Sequence, residues 1–162
     1  MNDKLLKASE IGNVNEVIRL INSGADVNHA DPYGYGLRPL HFTVRASYPD
    51  NGEKKQGAGT KIAELLIKAG ADVNGLDRKK STPLHHYDGM IPVDIVRVLK
   101  EAGADLSIKN EAGYTPLDQI KYNLDSKKDM LRQLSTGDER YDDYQEAVDK
   151  CEMAIKILTD KS

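Results

Sequence analysis

Four features of this chain hold residue types that could do chemistry. His85, His86 and Asp88 are metal-ligand types close together. Neighbouring side chains on a helix point about 100° apart, so adjacent histidines do not readily share an ion, and no metal site is expected. "NGEKKQGAGTK", residues 51–61, is glycine-rich, carries lysines and leads into a helix, as a phosphate-cradling loop does. Yet Ala58, not Lys with Ser or Thr, follows Gly57, and "RASYPD" precedes the loop where an apolar strand is required. A flexible insertion between two helices fits better, with Thr60 capping the second. "GYGLRP", residues 34–39, lacks the third glycine of a dinucleotide loop. Cys151, the only cysteine, falls on an apolar stripe and reads as buried and inert. No serine, histidine and acid arrangement follows from spacing. The expectation is no catalytic residue, no cofactor and no metal. The rival reading is a ligand- or anion-binding protein, or an enzyme, using the 51–61 loop.

What the elements must hold is better defined. "GADVN" occurs at 24–28 and 70–74, and "GADLS" at 103–107, separations of 46 and 33 residues. Apolar runs at helical spacing precede each: Val17, Leu20 and Ile21; Ile62, Leu65 and Leu66; Ile95, Val98 and Leu99. "RPLH", "TPLH" or "TPLD" follows each, at 38–41, 82–85 and 115–118. A period of 33 is that of a stacked repeat. Intervals from each glycine to the following proline are 15, 13 and 13 residues, so two extra residues lie before Pro39. Another eleven lie after it, since Pro39 to Gly70 is 31 residues where Pro83 to Gly103 is 20. Thr82-Pro83 and Thr115-Pro116 are helix starts, threonine as N-cap and proline in the first turn. Gly24, Gly70 and Gly103 end helices where a left-handed residue is needed. Asp26, Asp72 and Asp105 can hold the turn by bonding local amides. "HADPYGYGLR", "LDRKKS" and "KNEAGY" read as hairpin-like loops.

The pattern resembles the ankyrin repeat over about residues 3–120. The fold expected is an all-α solenoid of stacked helix–turn–helix units: about 3–30, 31–76 with an insertion at 45–60, 77–109 and 110–162, one domain in all. Departures are Asp3 as a possible cap in a first unit without "TPLH", Arg38 for threonine, Asp118 for histidine and Lys80 for the hairpin glycine. Tyr87 and Asp88 stand where small residues are usual, so the first helix of the third unit should be short. The resemblance implies that His41 and His85 tie helix starts to adjoining loops. It further implies a protein-binding face of hairpin tips and first-helix outer sides: Tyr33, Tyr35, Arg38, Phe42, Arg45, Arg78, Lys79, Lys80, His86, Asn110, Glu111, Tyr114, Gln119 and Tyr122. The set is rich in tyrosine and arginine, which anchor interfaces. His86 is expected to face outward and His29 to have no partner, and the 45–60 insertion offers a second contact.

The tail departs most. Ser135 to Asp138 reads as a break with Asp138 as N-cap. Tyr141, Tyr144, Val148, Cys151, Ile155 and Leu158 then form one stripe of an amphipathic helix. A stack must close its last apolar face, so this reads as an enlarged C-terminal cap. Self-association through the stripe is the other possibility, although a monomer is expected. Net charge is −3, and all of the excess lies in residues 123–162, with 10 acids and 7 bases. That balance argues against nucleic acid, and no run of about 18 apolar residues suggests a membrane span. A lone cysteine and no signal-peptide core suggest the cytoplasm. The function expected is non-catalytic binding of a protein partner, with a bacterial inhibitor or toxin-immunity role as its narrower form.

Overall fold

A computed structural model describes residues 1–45, 57–86 and 92–160. The insertion between 46 and 56, Asp88, and the side chain of Arg45 lie outside the described residues. Among those described there are seven α-helices, one 3-10 turn and no strand. The helices are α1 (Asn2–Glu10), α2 (Val14–Asn22), α3 (Pro39–Arg45), α4 (Ala58–Lys68), α5 (Val93–Glu101), α6 (Pro116–Gln133) and α7 (Tyr141–Thr159). The 3-10 turn, Pro83–His85, stands as the first helix of the third pair, which is short as expected.

The pairs stack in two columns. The first helices meet in the order α1, α3, 3-10 turn, α6, and the second helices in the order α2, α4, α5, α7. The molecule is therefore a helical repeat solenoid. Its core is one continuous apolar seam, including Leu5, Leu20, Leu40, Ile62, Leu66, Ile95, Leu99 and Ile120, each 2% exposed or less.

The recurring pentapeptide is a complete joint. Gly24, Gly70 and Gly103 adopt φ of +81°, +91° and +88°. At each, the glycine amide donates to the carbonyl three residues back and the alanine amide to the carbonyl five back, as Ala71 N does to Leu66 O at 2.9 Å. This is the Schellman closure of a helix end. Asp26, Asp72 and Asp105 each accept from the amide two residues on. The asparagines link units. Asn28 accepts from Asp72 N at 2.8 Å and donates to Gly70 O at 3.0 Å. Asn74 accepts from Asp105 N at 2.7 Å and donates to Gly103 O at 3.3 Å. Ser107 occupies this place in the last copy, and its hydroxyl turns back to Asp105. Asn74→Ala strands both partners and should lower the free energy of unfolding by about 1 kcal/mol. Ser107→Ala should change it by less than about 0.5 kcal/mol. Urea midpoints at unchanged m-value test the pair.

Histidine does the same work at the other end. His41 Nδ1 accepts from Arg38 N at 3.1 Å, and Nε2 faces Ser81 O in the next unit at 3.2 Å. His85 repeats this with Thr82 N at 3.1 Å and Tyr114 O at 3.0 Å. Asp118 closes the equivalent box with Thr115 but cannot donate onward. The substitution falls at the last "PL" start, where no further repeat loop follows.

Several local expectations are corrected. Helix α1 starts at Asn2, so Asp3 is not its cap and instead meets His29 Nε2 at 3.0 Å. His29 therefore has a partner. Gly57, at φ +86°, is the N-cap of α4, which places Thr60 inside the helix. Arg140, not Asp138, is the N-cap of α7, and Asp138 binds the Arg140 amide and guanidinium. On α7 the buried residues are Ala147, Val148, Cys151, Ala154 and Leu158, whereas Tyr141, Tyr144 and Ile155 are half-buried. The stripe is wider and rotated because α7 packs on both α6 and α5, and alanine lets two helices come close. That face is covered by α5 and α6 of the same chain. Lys100 of α5 donates to Ile157 O and Asp160 O, both at 2.7 Å, satisfying carbonyls at the α7 C-terminus.

Candidate protein-binding face

The loops between units are side-by-side hairpins. Asp77 N bonds Ser81 O at 3.0 Å and Asn110 N bonds Tyr114 O at 2.9 Å, each closure spanning four residues. In the first loop Asp31 N bonds Leu37 O at 2.8 Å, a span of six, so the two extra residues enlarge this tip. Neighbouring hairpins are joined by Arg78 N to Tyr35 O and Glu111 N to Lys79 O, both 2.8 Å.

The first two tips present one patch. Tyr33 is 92% exposed and Tyr35 is 62% exposed. The Arg78 guanidinium donates to Pro32 O at 2.7 Å and also to Gly34 O. Gly36, at φ +72°, permits this approach, because a Cβ there would lie 3.1 Å from Arg78 Cγ. Lys79 Nζ stands 5.2 Å from the centre of the Tyr35 ring, within cation–π range. Lys79 and Lys80 are exposed, and Lys80 takes the left-handed φ of +58° that glycine would adopt freely.

Beside this patch lies a groove of about 470 Å³, with Leu6, Leu37 and Phe42 among its apolar lining and Asp3, Lys7 and Glu10 from α1. Phe42 is half-buried there. The α1 residues were missed from sequence. Asp3, Lys7 and Glu10 are spaced four and three, one helical face, and placing that face in the first-helix column would have found them.

Other expected face residues have different surroundings. Arg38 runs into the junction, its Nη1 3.5 Å from Asp72 Oδ2 and its side chain 27% exposed. Gly75 makes room, since a Cβ there would fall 2.9 Å from Nη1. His86 does not face freely outward: Nε2 meets Asp77 Oδ2 at 2.9 Å, and its ring stands edge-on to His41 at 5.2 Å. Asp77, with its side chain 1% exposed, also accepts from the Lys79 and Ser81 amides. Asn110 is half-buried and shapes its loop through Ala112 N and Tyr114 N. Glu111 is exposed, and Gln119 is half-buried on α6. Tyr114 and Tyr122, 39% and 60% exposed, lie with ring centres 6.1 Å apart at the far end of the strip. A smaller recess of about 270 Å³, lined by Lys79, Ser81, Asn110, Glu111 and Ala112, lies between.

The titratable groups in this region hold the joints. Burial pushes His41 down to about 4, opposed by its bond to the Ser81 carbonyl. Burial likewise lowers His85. The Thr115 hydroxyl and amide hold Asp118 below the usual carboxylate range. Burial raises the Cys151 thiol, which is 0% exposed in the core. Among the described residues no three His, Cys, Asp or Glu side chains stand where one cation could be held. No described helix is long and apolar enough to cross a membrane.

A solenoid of helical pairs joined by Asn and His ties, with its hairpin tips aligned on one side, defines a repeat-type protein-interaction module. The chain belongs to the ankyrin-repeat family. No family model matches it. It is 30% identical over 137 residues to Cyclin-dependent kinase 4 inhibitor B of Rattus norvegicus, covering 83% of this chain and 93% of that protein. It is 32% identical over 117 residues to Cyclin-dependent kinase inhibitor 2A of Homo sapiens, covering 72% and 66%. It is 31% identical over 119 residues to Ankyrin repeat and SOCS box protein 6 of Mus musculus, covering 72% and 26%. The chain spans only 20% to 31% of several longer relatives.

Proposed function

We propose that this chain acts by occupying the surface of a partner protein, in the manner of a stoichiometric inhibitor and without catalysis. The contact face is the line of hairpin tips from Tyr33 and Tyr35 through Arg78 to Tyr114 and Tyr122, with the α1–α3 groove beside it. The observation that carries this is the pair of exposed tyrosines held on a tip pinned by Arg78. Large aromatics in water on a rigid support are otherwise unfavourable, and they lose little entropy on binding. Two of the relatives are inhibitors of protein kinases by name, which favours an inhibitory role. A cytoplasmic toxin-immunity partner is a narrower form of the same reading, and the acidic tail would then steer a basic partner in. The four units, bounded near 30, 76 and 109, act together as one domain.

The test is cross-linking from a photoreactive residue at position 33, identification of the captured protein, and titration of that protein. Tyr33→Ala with Tyr35→Ala should weaken binding at least about tenfold while leaving the melting temperature within a degree or so of the parent, because hot-spot aromatics act at the interface and not in the core. Undiminished affinity in the double variant places the contact elsewhere.

A further inference from the structure

We infer that the second hairpin tip, with the tyrosines beside it, recognises an acidic peptide segment that carries an apolar anchor. This rests on the reading that the tips contact a protein. Arg78, Lys79 and Lys80 are consecutive and exposed, and among the described residues none of them pairs with a carboxylate. Of the acids around them four are engaged, whereas Glu111, exposed beside Lys79 in the small recess, makes no side-chain bond among the described residues. Asp3 meets His29, Glu10 pairs with Lys7, Asp31 accepts from the Tyr33 amide, and Asp77 holds the Lys79 and Ser81 amides and His86. The patch therefore sets three cations against the one unengaged carboxylate of Glu111, on a chain whose net charge is −3.

Two of these three charges are held in place. Arg78 is fixed by two carbonyls of the first tip, and Lys79 lies over the Tyr35 ring. Lys80 keeps a backbone conformation that favours glycine, and its side chain makes no hydrogen bond or ion pair among the described residues. Ordered cations need little rearrangement to meet carboxylates. The neighbouring groove, floored by Leu6, Leu37 and Phe42, takes an apolar side chain of the same segment. A nucleic acid fits less well, since phosphate-backbone binding draws on many cations and the tail surplus is negative.

The experiment compares two fluorescent peptides sharing a Phe-Leu anchor, one flanked by Asp and Glu and the other by Asn and Gln. Both are titrated against the parent chain, Lys79→Glu/Lys80→Glu and Lys79→Arg/Lys80→Arg. Arg78 is kept because it ties the tips together. The acidic peptide should bind at least about tenfold tighter than the neutral one, and the advantage should shrink as salt rises. The glutamate variant should lose the advantage at unchanged melting temperature, while the arginine variant retains it. Equal binding of the two peptides, no binding of either at millimolar concentration, or an advantage surviving in the glutamate variant overturns the proposal. So does an oligothymidylate of equal charge that competes as well as the acidic peptide, which would point to phosphate. The captured partner separates the two readings. If Tyr33→Ala/Tyr35→Ala weakens it and Lys79→Glu/Lys80→Glu does not, the face stands and its charge preference falls. If neither change weakens it, the face falls.

Discussion

Leu66→Ala is expected to lower the free energy of unfolding by about 2–5 kcal/mol, the range for leucines truncated in a sealed core. Leu66 is 0% exposed and lies on α4, which packs on α2, α3 and α5. Total stabilities of single domains are about 5–15 kcal/mol, so this one change removes a large share. The architecture adds a second consequence. In a linear stack each unit is stabilised mainly by its neighbours, and α4 stands between the first and third pairs. The variant should therefore unfold less cooperatively, with the α5–α7 end persisting beyond the N-terminal pairs and a reduced apparent m-value. Urea denaturation followed by far-UV circular dichroism tests both points, with Ile18→Ala as the control. Ile18 is 38% exposed, and its truncation should cost less than about 0.5 kcal/mol. A loss under about 1 kcal/mol for Leu66→Ala would contradict the sandwiched position of α4.

The second large effect belongs to His41. His41→Leu removes the acceptor of the Arg38 amide and the group facing the Ser81 carbonyl. Each stranded buried group costs about 1–3 kcal/mol, so the expected loss near neutrality for the two is about 2–6 kcal/mol. The pH dependence identifies the cause. Burial, aided by the nearby His86, lowers His41 from 6.5 to about 4. Above the unfolded value the ring is neutral in both states, and the contribution to stability is complete. As pH falls from 6.5 towards 4 the unfolded chain takes up a proton that the folded chain refuses, and stability declines. Over that window the decline is about 3 kcal/mol, because each tenfold difference in proton affinity between the two states is worth about 1.4 kcal/mol. Below about 4 the folded ring is protonated too, at the nitrogen that must accept from Arg38. His41→Leu lacks this proton uptake, so the gap between variant and parent should narrow in acid. A constant gap from pH 7 to pH 4 would show that His41 is not held neutral by the fold. His85 is shifted the same way and leaves a residual slope in the variant.

Much of this fold is legible because its joints are made by neighbours in the chain. A left-handed glycine closing a helix, an aspartate folding over the amide two residues on, and threonine before proline are all local geometry. Gly70, Asp72 and Thr82 could be assigned from type and spacing alone. The same holds for the surplus of two residues before Pro39, which reappears as the longer first hairpin. Where a cap depended on the wider context, local reading failed. Asp3, Thr60 and Asp138 are all good capping types, yet Met1, Gly57 and Arg140 take the N-cap positions.

The candidate face was legible as a set of loop positions, not as a surface. Tyr33, Tyr35, Arg78, Lys79 and Lys80 are brought together because one hairpin lies against the next and Arg78 reaches back to the carbonyls of Pro32 and Gly34. No spacing rule reports a contact between side chain and carbonyl across 46 residues. His86 and Arg38 look alike in type to the exposed set, and they are drawn inward by Asp77 and Asp72, partners within their own units that the folding of each unit brings near.

The order of residues along this chain is therefore enough to specify the repeat, its glycine-closed helix ends, its period and the number of pairs, since each follows from steric and hydrogen-bonding demands felt over a few residues. Which cations stay free, which tyrosines stand in water and which face of α7 is covered were settled by packing between units. Those outcomes depend on distances between residues far apart in the chain, and such distances exist once the pairs have docked.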